Sequence, residues 1–384
     1  MQNILNEAMT WLDLPPVTAS AYSQARYKLK HSAFIALNKK AIVDTFYSDD
    51  DYHTFWGFRV LAVDGSKLML PKTEDITKTF GTIPHSNGTN REIKGEHPYA
   101  MASVLYDVLN RIAIDARLGQ ARAYEIDLAI EHLVHTQSND LLVMDRNYPS
   151  YRMLAELTHR QRNYVIRCSA SSFKEAREML KGKGADSQIV ELKPCYDQKA
   201  AIAQAELPAT LKVRFVRVQL KTGEYEVLVT SLLDEARYTT PEFLELYGLR
   251  WGIETFFGLL KTRLELENFT GTRAESVMQD FYASVYLTGL ESILTDAAQK
   301  QLDVRSRKNK YPQKVNRSVS FNAIKNQALD LLLGDEKIDS LEKKLTALFL
   351  MNPISDRKHR KPPRQKSSSR RLLNFHKRQK KHCF

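Results

Sequence analysis

A mixed α/β sheet covered by helices is the fold class the chain predicts, on three observations. FRVLAVDGSKLMLP alternates around Val60, Ala62 and Asp64, as a strand with two distinct faces would. DLLVMD, at 140–145, is a short apolar run closed by an aspartate, the pattern of a parallel strand buried on both sides. Around these runs the order reads as three strands with hairpin-type links, then helix, strand, helix, strand. The 384 residues, 43% of them hydrophobic, suffice for one large domain or two to three modules.

The elements follow in order. Residues 1–57 form a helical region: cap-type Thr18 and Ser20 precede apolar and aromatic residues spaced three and four apart in SAYSQARYKLKHSAFIALNKKAIVDTFY. After the first strand, YAMASVLYDVL and RIAIDARL meet at Asn110-Arg111 as a hairpin. EIDLAIEHLVHT (125–136) has helical spacing, as does YRMLAELTHRQ, and NYVIRCS is a further apolar strand. Residues 185–232 change the rhythm. There LKVRFVRVQL and YEVLVTSLL are β-type, joined through Lys221-Thr222-Gly223. Helix resumes at 241–266, where Pro241 takes a first-turn position, and further helices are expected at 274–303 and 321–350. The reading is thus an α/β domain at 58–300 with a β-rich insertion near 185–235. A helical region at 301–355 and a tail at 356–384 follow.

Charge is concentrated in that tail. The chain carries 57 Lys and Arg against 45 Asp and Glu, a net of +12; residues 356–384 hold 12 of the cations and one acid, so +11 of the net charge lies there. Such a tail binds polyanions, nucleic acid above all, through counterion release, or is a solvated disordered end. Three cysteines at unrelated spacings exclude a disulfide framework and a cysteine zinc site, and fit a reducing cytoplasm. No apolar run reaches the roughly 20 residues of a membrane span, and MQNILNEAMTWLDLPP lacks a signal-peptide pattern. His132 and His135 have no cysteine partners and are expected on a helix surface.

Three acids stand out by context. Asp64 ends an apolar strand before Gly65-Ser66, and Asp145 ends another before Arg146-Asn147-Tyr148, so each sits at a sheet edge that a ligand can reach. Glu254 lies on the 241–266 helix. Taken singly, each reads first as a cap or surface residue, and Asp75, Asp107, Asp115 and Asp140 are rivals by composition. On an ideal helix Tyr247, Arg250, Glu254 and Lys261 fall within roughly 60° of arc. Leu246, Leu249, Ile253, Phe256, Phe257 and Leu260 form the core stripe beside them. An acid among phosphate-binding side chains suits a face where metal and phosphate meet, while Arg250–Glu254 also reads as a plain i,i+4 surface pair.

The run Tyr247-x2-Arg250-x3-Glu254-x6-Lys261 resembles the YREK signature of the insertion-sequence-4 family of DDE transposases. Arg250-Trp251-x-Ile253-Glu254-x-x-Phe257 around it is similar to that family too. AVDGSKL around Asp64 and VMDRNY around Asp145 resemble the family's first and second acidic motifs, and SAYSQARYKLKHSAF its N-terminal helical region. The resemblance spans roughly residues 15–300. Asn147 departs from it, where many members have Gly; the difference touches the turn.

The resemblance implies a ribonuclease H-like catalytic core, with the insertion looped out between Asp145 and Glu254. It implies that Asp64, Asp145 and Glu254 are the metal-binding catalytic triad, with Mg²⁺ as cofactor and Mn²⁺ able to substitute. Tyr247, Arg250 and Lys261 would contact the DNA end, and residues 1–57 would bind DNA. The implied partners are double-stranded DNA, as transposon ends and target, and a second copy of the chain in the active dimer. The implied place is the cytoplasm, at the nucleoid, with no membrane. The implied activity is hydrolysis to a free 3′-hydroxyl followed by strand transfer, through two-metal catalysis. A metal-dependent nuclease of the same fold without strand transfer, and an inactive DNA-binding derivative, are the alternatives.

Overall fold

The computed structural model describes residues 5–6, 9–10, 15–49, 51–86, 93–220, 222–333 and 338–357. All but the first two residues of the basic tail, 356–384, lie outside them.

The N-terminal region folds as helix α1 (Ala19–Arg26), helix α2 (Ser32–Leu37) and a π-helical turn at Asn38–Asp44. Thr18 caps α1 by accepting from the Ala21 amide at 3.1 Å. These helices lie against the rest of the chain. Arg26 pairs with Asp280 at 2.8 Å, and Asn38 donates to the Ala113 carbonyl at 2.9 Å.

The sheet begins with β1 (Arg59–Met69), then helix α3 (Glu74–Phe80), β2 (Thr82–Ser86), β3 (Ile93–Asp107) and β4 (Ile112–Gln120). Arg111, at φ +61°, turns the β3–β4 hairpin. Next come α4 (Glu125–His132), β5 (Asp140–Met144), α5 (Tyr151–His159), β6 (Asn163–Cys168) and α6 (Lys174–Leu180). β1 pairs antiparallel with β3 and parallel with β5, and β5 pairs parallel with β6. The strand order β4-β3-β1-β5-β6, an antiparallel meander followed by two parallel strands, is that of a ribonuclease H-like sheet.

The β-rich segment is not a separate module. It consists of β7 (Ser187–Leu192), α7 (Lys199–Gln204), β8 (Leu211–Gln219) and β9 (Tyr225–Thr230). β9 pairs antiparallel with β6, β8 with β9 and β7 with β8, so the insertion extends the same sheet to nine strands. Gly223, at φ +86°, supplies the left-handed turn between β8 and β9.

After β9 come α8 (Glu242–Leu249), α9 (Trp251–Gly258), a π turn at Leu259–Arg263 and the long helix α10 (Ala274–Ser306). The C-terminal helices α11 (Arg317–Asn326), α12 (Ala328–Leu333) and α13 (Ile338–Met351) follow, with a small ladder of β10 (Gln313–Lys314) and β11 (Ile354–Ser355). Ala298 and Leu302 of α10 share an apolar cluster with Phe349 and Leu345 of α13.

Strand alternation divides the main core in two. Val60, Ala62, Leu141 and Val143 face a cluster with Phe243, Leu246, Ile253 and Phe256 of α8 and α9. Leu61, Val63, Leu142 and Met144 face the opposite cluster, with Ile126 of α4 and Leu154 of α5. Both faces are dry, as the apolar β5 run requires.

Candidate active site

Register brings the first two acids together. β1 and β5 run parallel with Val63 beside Met144. Asp64 and Asp145 are the next residues on these neighbouring chains, whose backbones lie about 4.8 Å apart. Period-two alternation continues the Val60–Ala62 and Leu141–Val143 face, so both aspartates belong to the side that α8 and α9 cover. Asp64 Oδ1 accepts from the Gly65 amide and Asp145 Oδ1 from the Asn147 amide, each at 2.8 Å. In the second case the Asx turn at Arg146-Asn147 carries the chain off the sheet.

Glu254 reaches the same place from α9. The 241–266 segment is not the single straight helix its spacing predicts. At Arg250 the bonding tightens to i,i−3: the Arg250 amide donates to the Tyr247 carbonyl, and the Ile253 amide to the Arg250 carbonyl, both at 3.1 Å. Residues 259–263 then widen into a π turn. Close packing accompanies the break, since a Cβ on Gly252 would stand 3.1 Å from Val108 Cβ. Of the four residues read as one stripe, Tyr247, Arg250 and Glu254 stay in contact, and Lys261, past the π turn, bonds to β1. Tyr247 is buried with Phe243 and Leu246. Arg250 is buried and donates from Nη2 to Glu254 Oε1 at 2.7 Å. Lys261 turns to β1 and donates to the Lys67 carbonyl at 2.7 Å. Of the expected core stripe, Leu246, Ile253, Phe256, Phe257 and Leu260 are buried and Leu249 is half-buried.

The acids feel one another. Burial, with the charges of Asp145 and Glu254, pushes the Asp64 carboxyl up to about 7 against the pull of the Gly65 amide and Arg250. Arg250 is the counter-charge of the group. Its guanidinium lies 5.7 Å from the Tyr247 ring centre and 5.1 Å from that of Trp251. Its Nε is buried with no hydrogen-bond partner among the described residues, and so is the Tyr247 hydroxyl. Burial pushes that hydroxyl up to about 12.

As possible holders of a metal, Asp64, Asp145 and Glu254 offer only hard oxygens, which suit a divalent ion such as Mg²⁺. Among the described residues no three Asp, Glu, His or Cys side chains gather closely enough to hold one. Glu254 is drawn to Arg250 instead.

The rival aspartates have structural partners. Asp140 takes two hydrogen bonds from buried Arg59, at 2.7 and 2.8 Å. Asp107 accepts from Tyr47 and Asn110, and Asp75 accepts from the Ala274 amide that opens α10. Asp115 binds His132, and here the expectation of a surface histidine is wrong. His132 is fully buried, with Nδ1 2.8 Å from Asp115 Oδ2 and Nε2 3.0 Å from Ser103 Oγ. A neutral ring donating to Asp115 and accepting from Ser103 satisfies all three groups. Periodicity places a residue on a helix face, but it cannot see two polar partners on other strands.

Burial lowers the His132 pKa below its ordinary 6.5, outweighing the pull of Asp115. For Asp115, burial raises the pKa, but the His132 hydrogen bond and charge, with His135 and Arg117, hold it below its ordinary value. Both depressed values act in one direction. The unfolded histidine takes up a proton that the folded one refuses, so stability falls as pH drops below about 6.5. The Asp115 contribution is lost at still lower pH, as pH falls through its folded value. Melting temperatures measured from pH 8 to 4 should decline over this range, and His132→Gln should flatten the upper part of the decline.

Three further residues lie close to these groups: Trp251 and Tyr148, quoted from the sequence only as neighbours within the two motifs, and Glu125, which carried no signal. Trp251 is 52% exposed beside Arg250, where helical spacing left a core position open. Tyr148 is fully buried in the field of Asp64, Glu125 and Asp145, and Glu125 opens α4 against Gly65. Tyr148 was legible only as the tyrosine that follows Asp145-Arg146-Asn147.

Known proteins are similar to this chain. The transposase DDE domain family matches residues 56–286, more than half of the chain. The transposase InsG of insertion sequence element IS4 from Escherichia coli (strain K12) is 25% identical over 274 residues, covering 70% of this chain and 59% of InsG. The chain thus spans well under two thirds of that relative's length. A piggyBac transposase synaptic complex with hairpin DNA, solved by cryo-EM, is 12% identical at a TM-score of 0.43, over 83% of this chain and 62% of that one. No helix among the described residues is long and apolar enough to cross a membrane. The match over residues 56–286, which runs from the start of the sheet through the helix of Glu254, places the chain in the transposase DDE domain family.

Proposed function

We propose that the chain is a DNA transposase, which cuts at the ends of an insertion sequence and joins the freed strand to target DNA. The observation that supports this most is Arg250: a buried guanidinium held between Tyr247 and Trp251, with an unmet Nε, beside Asp64 and Glu254. A buried arginine with an open donor next to a group of acids suits a phosphodiester, whose phosphate it can grip in two places.

Asp64, Asp145 and Glu254 would hold the divalent cation. When bound, it activates the attacking oxygen and stabilises the leaving one. Water attacks the phosphorus at the end of the element, the P–O3′ bond breaks and a 3′-hydroxyl is freed. That hydroxyl then attacks a target phosphate and displaces its 3′-oxygen. Arg250 orients the phosphate in line for both attacks, and the Tyr247 hydroxyl lies beside it to donate. Lys261 is near enough to β1 to leave the Lys67 carbonyl for a neighbouring phosphate. Residues 1–57 and the basic tail add contacts to the DNA backbone. Two ends held together require at least two copies of the chain.

Labelled DNA carrying the element's ends, incubated with the protein and Mg²⁺, should yield both cut and joined products. Cut products alone would leave a nuclease of this fold, and binding without either product a DNA-binding derivative.

A further inference from the structure

We infer that a groove on the back of the Glu254 helix grips the sugar-phosphate backbone of a DNA duplex, whatever its sequence, through Arg111, Arg263, Lys314 and Arg317. The inference rests on the reading of the chain as a DNA-acting enzyme and adds to it a second place of contact, away from the acids.

The groove has a volume of about 630 Å³ and lies between α9, the β3–β4 turn and the β10–β11 ladder. Val108, Leu259 and Val315 give it an apolar lining. On α9 it is bordered by Gly252, Thr255 and Phe256, three residues spaced as one helix face. Glu254 falls roughly 150° round the helix from that face, so the groove and the acids occupy opposite sides of it.

All the charged residues that line the groove are cations, in a chain that is nearly neutral outside its tail. Two of them are answered by acids. Arg317 stands 3.7 Å from Glu291, a fully buried carboxylate that also accepts from the Ser320 hydroxyl at 2.7 Å, and it hydrogen-bonds the buried Tyr106 hydroxyl as well. Lys314 pairs with Asp356 at 2.8 Å, a partly exposed contact that is worth little in water and that a phosphate can replace. Arg263 is held by a neutral partner, the Ser318 hydroxyl, and neither it nor Arg111 is paired with an acid among the described residues. Two uncompensated guanidinium groups beside a third that is fixed in place suit a row of phosphates. The aliphatic lining between them suits deoxyribose, which favours a nucleic-acid strand over a free phosphate ion.

The test measures binding of a random-sequence DNA duplex to the full chain in EDTA, over a range of salt. Arg111→Asn is chosen because asparagine tolerates the left-handed backbone at φ +61°, and Arg263→Gln because it keeps a partner for Ser318. Each should lower the slope of log affinity against log salt by about 1, with the melting temperature unchanged. Gly258→Glu adds an acid to the groove instead of removing a cation. A Cβ on Gly258 meets nothing within 4 Å, so the side chain has room. Affinity should fall about tenfold, through like-charge repulsion of the phosphates. Gly258→Gln occupies the same space without the charge and should lose much less. Lys199→Gln removes an exposed cation on α7, whose Ile202 packs on the opposite face of the sheet, and should leave the slope as it is. Undiminished binding by Arg111→Asn, Arg263→Gln and Gly258→Glu, with end binding still weakened by Arg250→Ala, would overturn the inference and leave the transposase reading standing. Equal losses in Gly258→Gln or Lys199→Gln would overturn it too, since bulk, or any surface cation, would then account for the effect. If the unaltered chain binds no DNA, both readings fall.

Discussion

Glu254→Gln should abolish both cleavage and joining while DNA binding persists. The substitution keeps the size and hydrogen bonding of the side chain, including a partner for Arg250 Nη2. It removes the charge that a divalent ion needs. Metal stabilisation of a phosphoryl transition state is worth several kcal/mol, so the single-turnover rate should fall by about 10³-fold or more. Arg250→Ala should separate from it. There the acids remain, but the guanidinium between Tyr247 and Trp251 is gone, and affinity for the DNA end should fall together with the rate. Single-turnover cleavage and a binding assay on the same DNA distinguish the two. Retained cleavage by Glu254→Gln, or intact end binding and cleavage by Arg250→Ala, would refute the assignment of this helix to the active site.

The largest effect on folding should come from the other end of the same two strands. Arg59 and Asp140 face each other in register at the starts of β1 and β5, with side chains 4% and 0% exposed. Asp140 also accepts from the Gln137 amide at 2.7 Å, and Arg59 lies over the Tyr47 ring at 4.6 Å. Arg59→Met leaves a buried carboxylate without its counter-charge and should cost about 3–5 kcal/mol. The double substitution Arg59→Met with Asp140→Leu removes both charges and should recover most of that loss. Urea denaturation of the two variants checks this. Equal losses in both would show that packing, rather than the unpaired charge, sets the cost.

The parts of the fold legible in sequence are those whose cause is local. The β1 and β5 runs announce themselves because strands buried on both faces must be apolar; Asp145 follows β5 as expected, whereas Asp64 does not end its strand, since β1 runs on to Met69 along β3, a pairing that the sequence does not name. The β8–β9 hairpin shows in its alternation and in Gly223. That β9 then pairs with β6 was not legible, because nothing in YEVLVTS names a partner strand some sixty positions back. The spacing of Tyr247, Arg250, Glu254 and Lys261 pointed to the right helix. The turn at Arg250 and the π turn at 259–263 were not legible, because the close approach of Gly252 to Val108 is a tertiary contact. Trp251 is exposed, and His132 buried, for reasons of the same kind.

Because β9 closes the β6 edge and leads directly into the segment bearing Glu254, the insertion cannot be trimmed as though it were an appendage. A shortened chain with a simple linker between β6 and α8 would leave β6 as a bare outer strand, and its free amides and carbonyls would be open to pairing with other molecules. It would also untether the third acid from the platform that carries the first two. Closure of the β6 edge and the lead into the Glu254 helix thus rest on one strand.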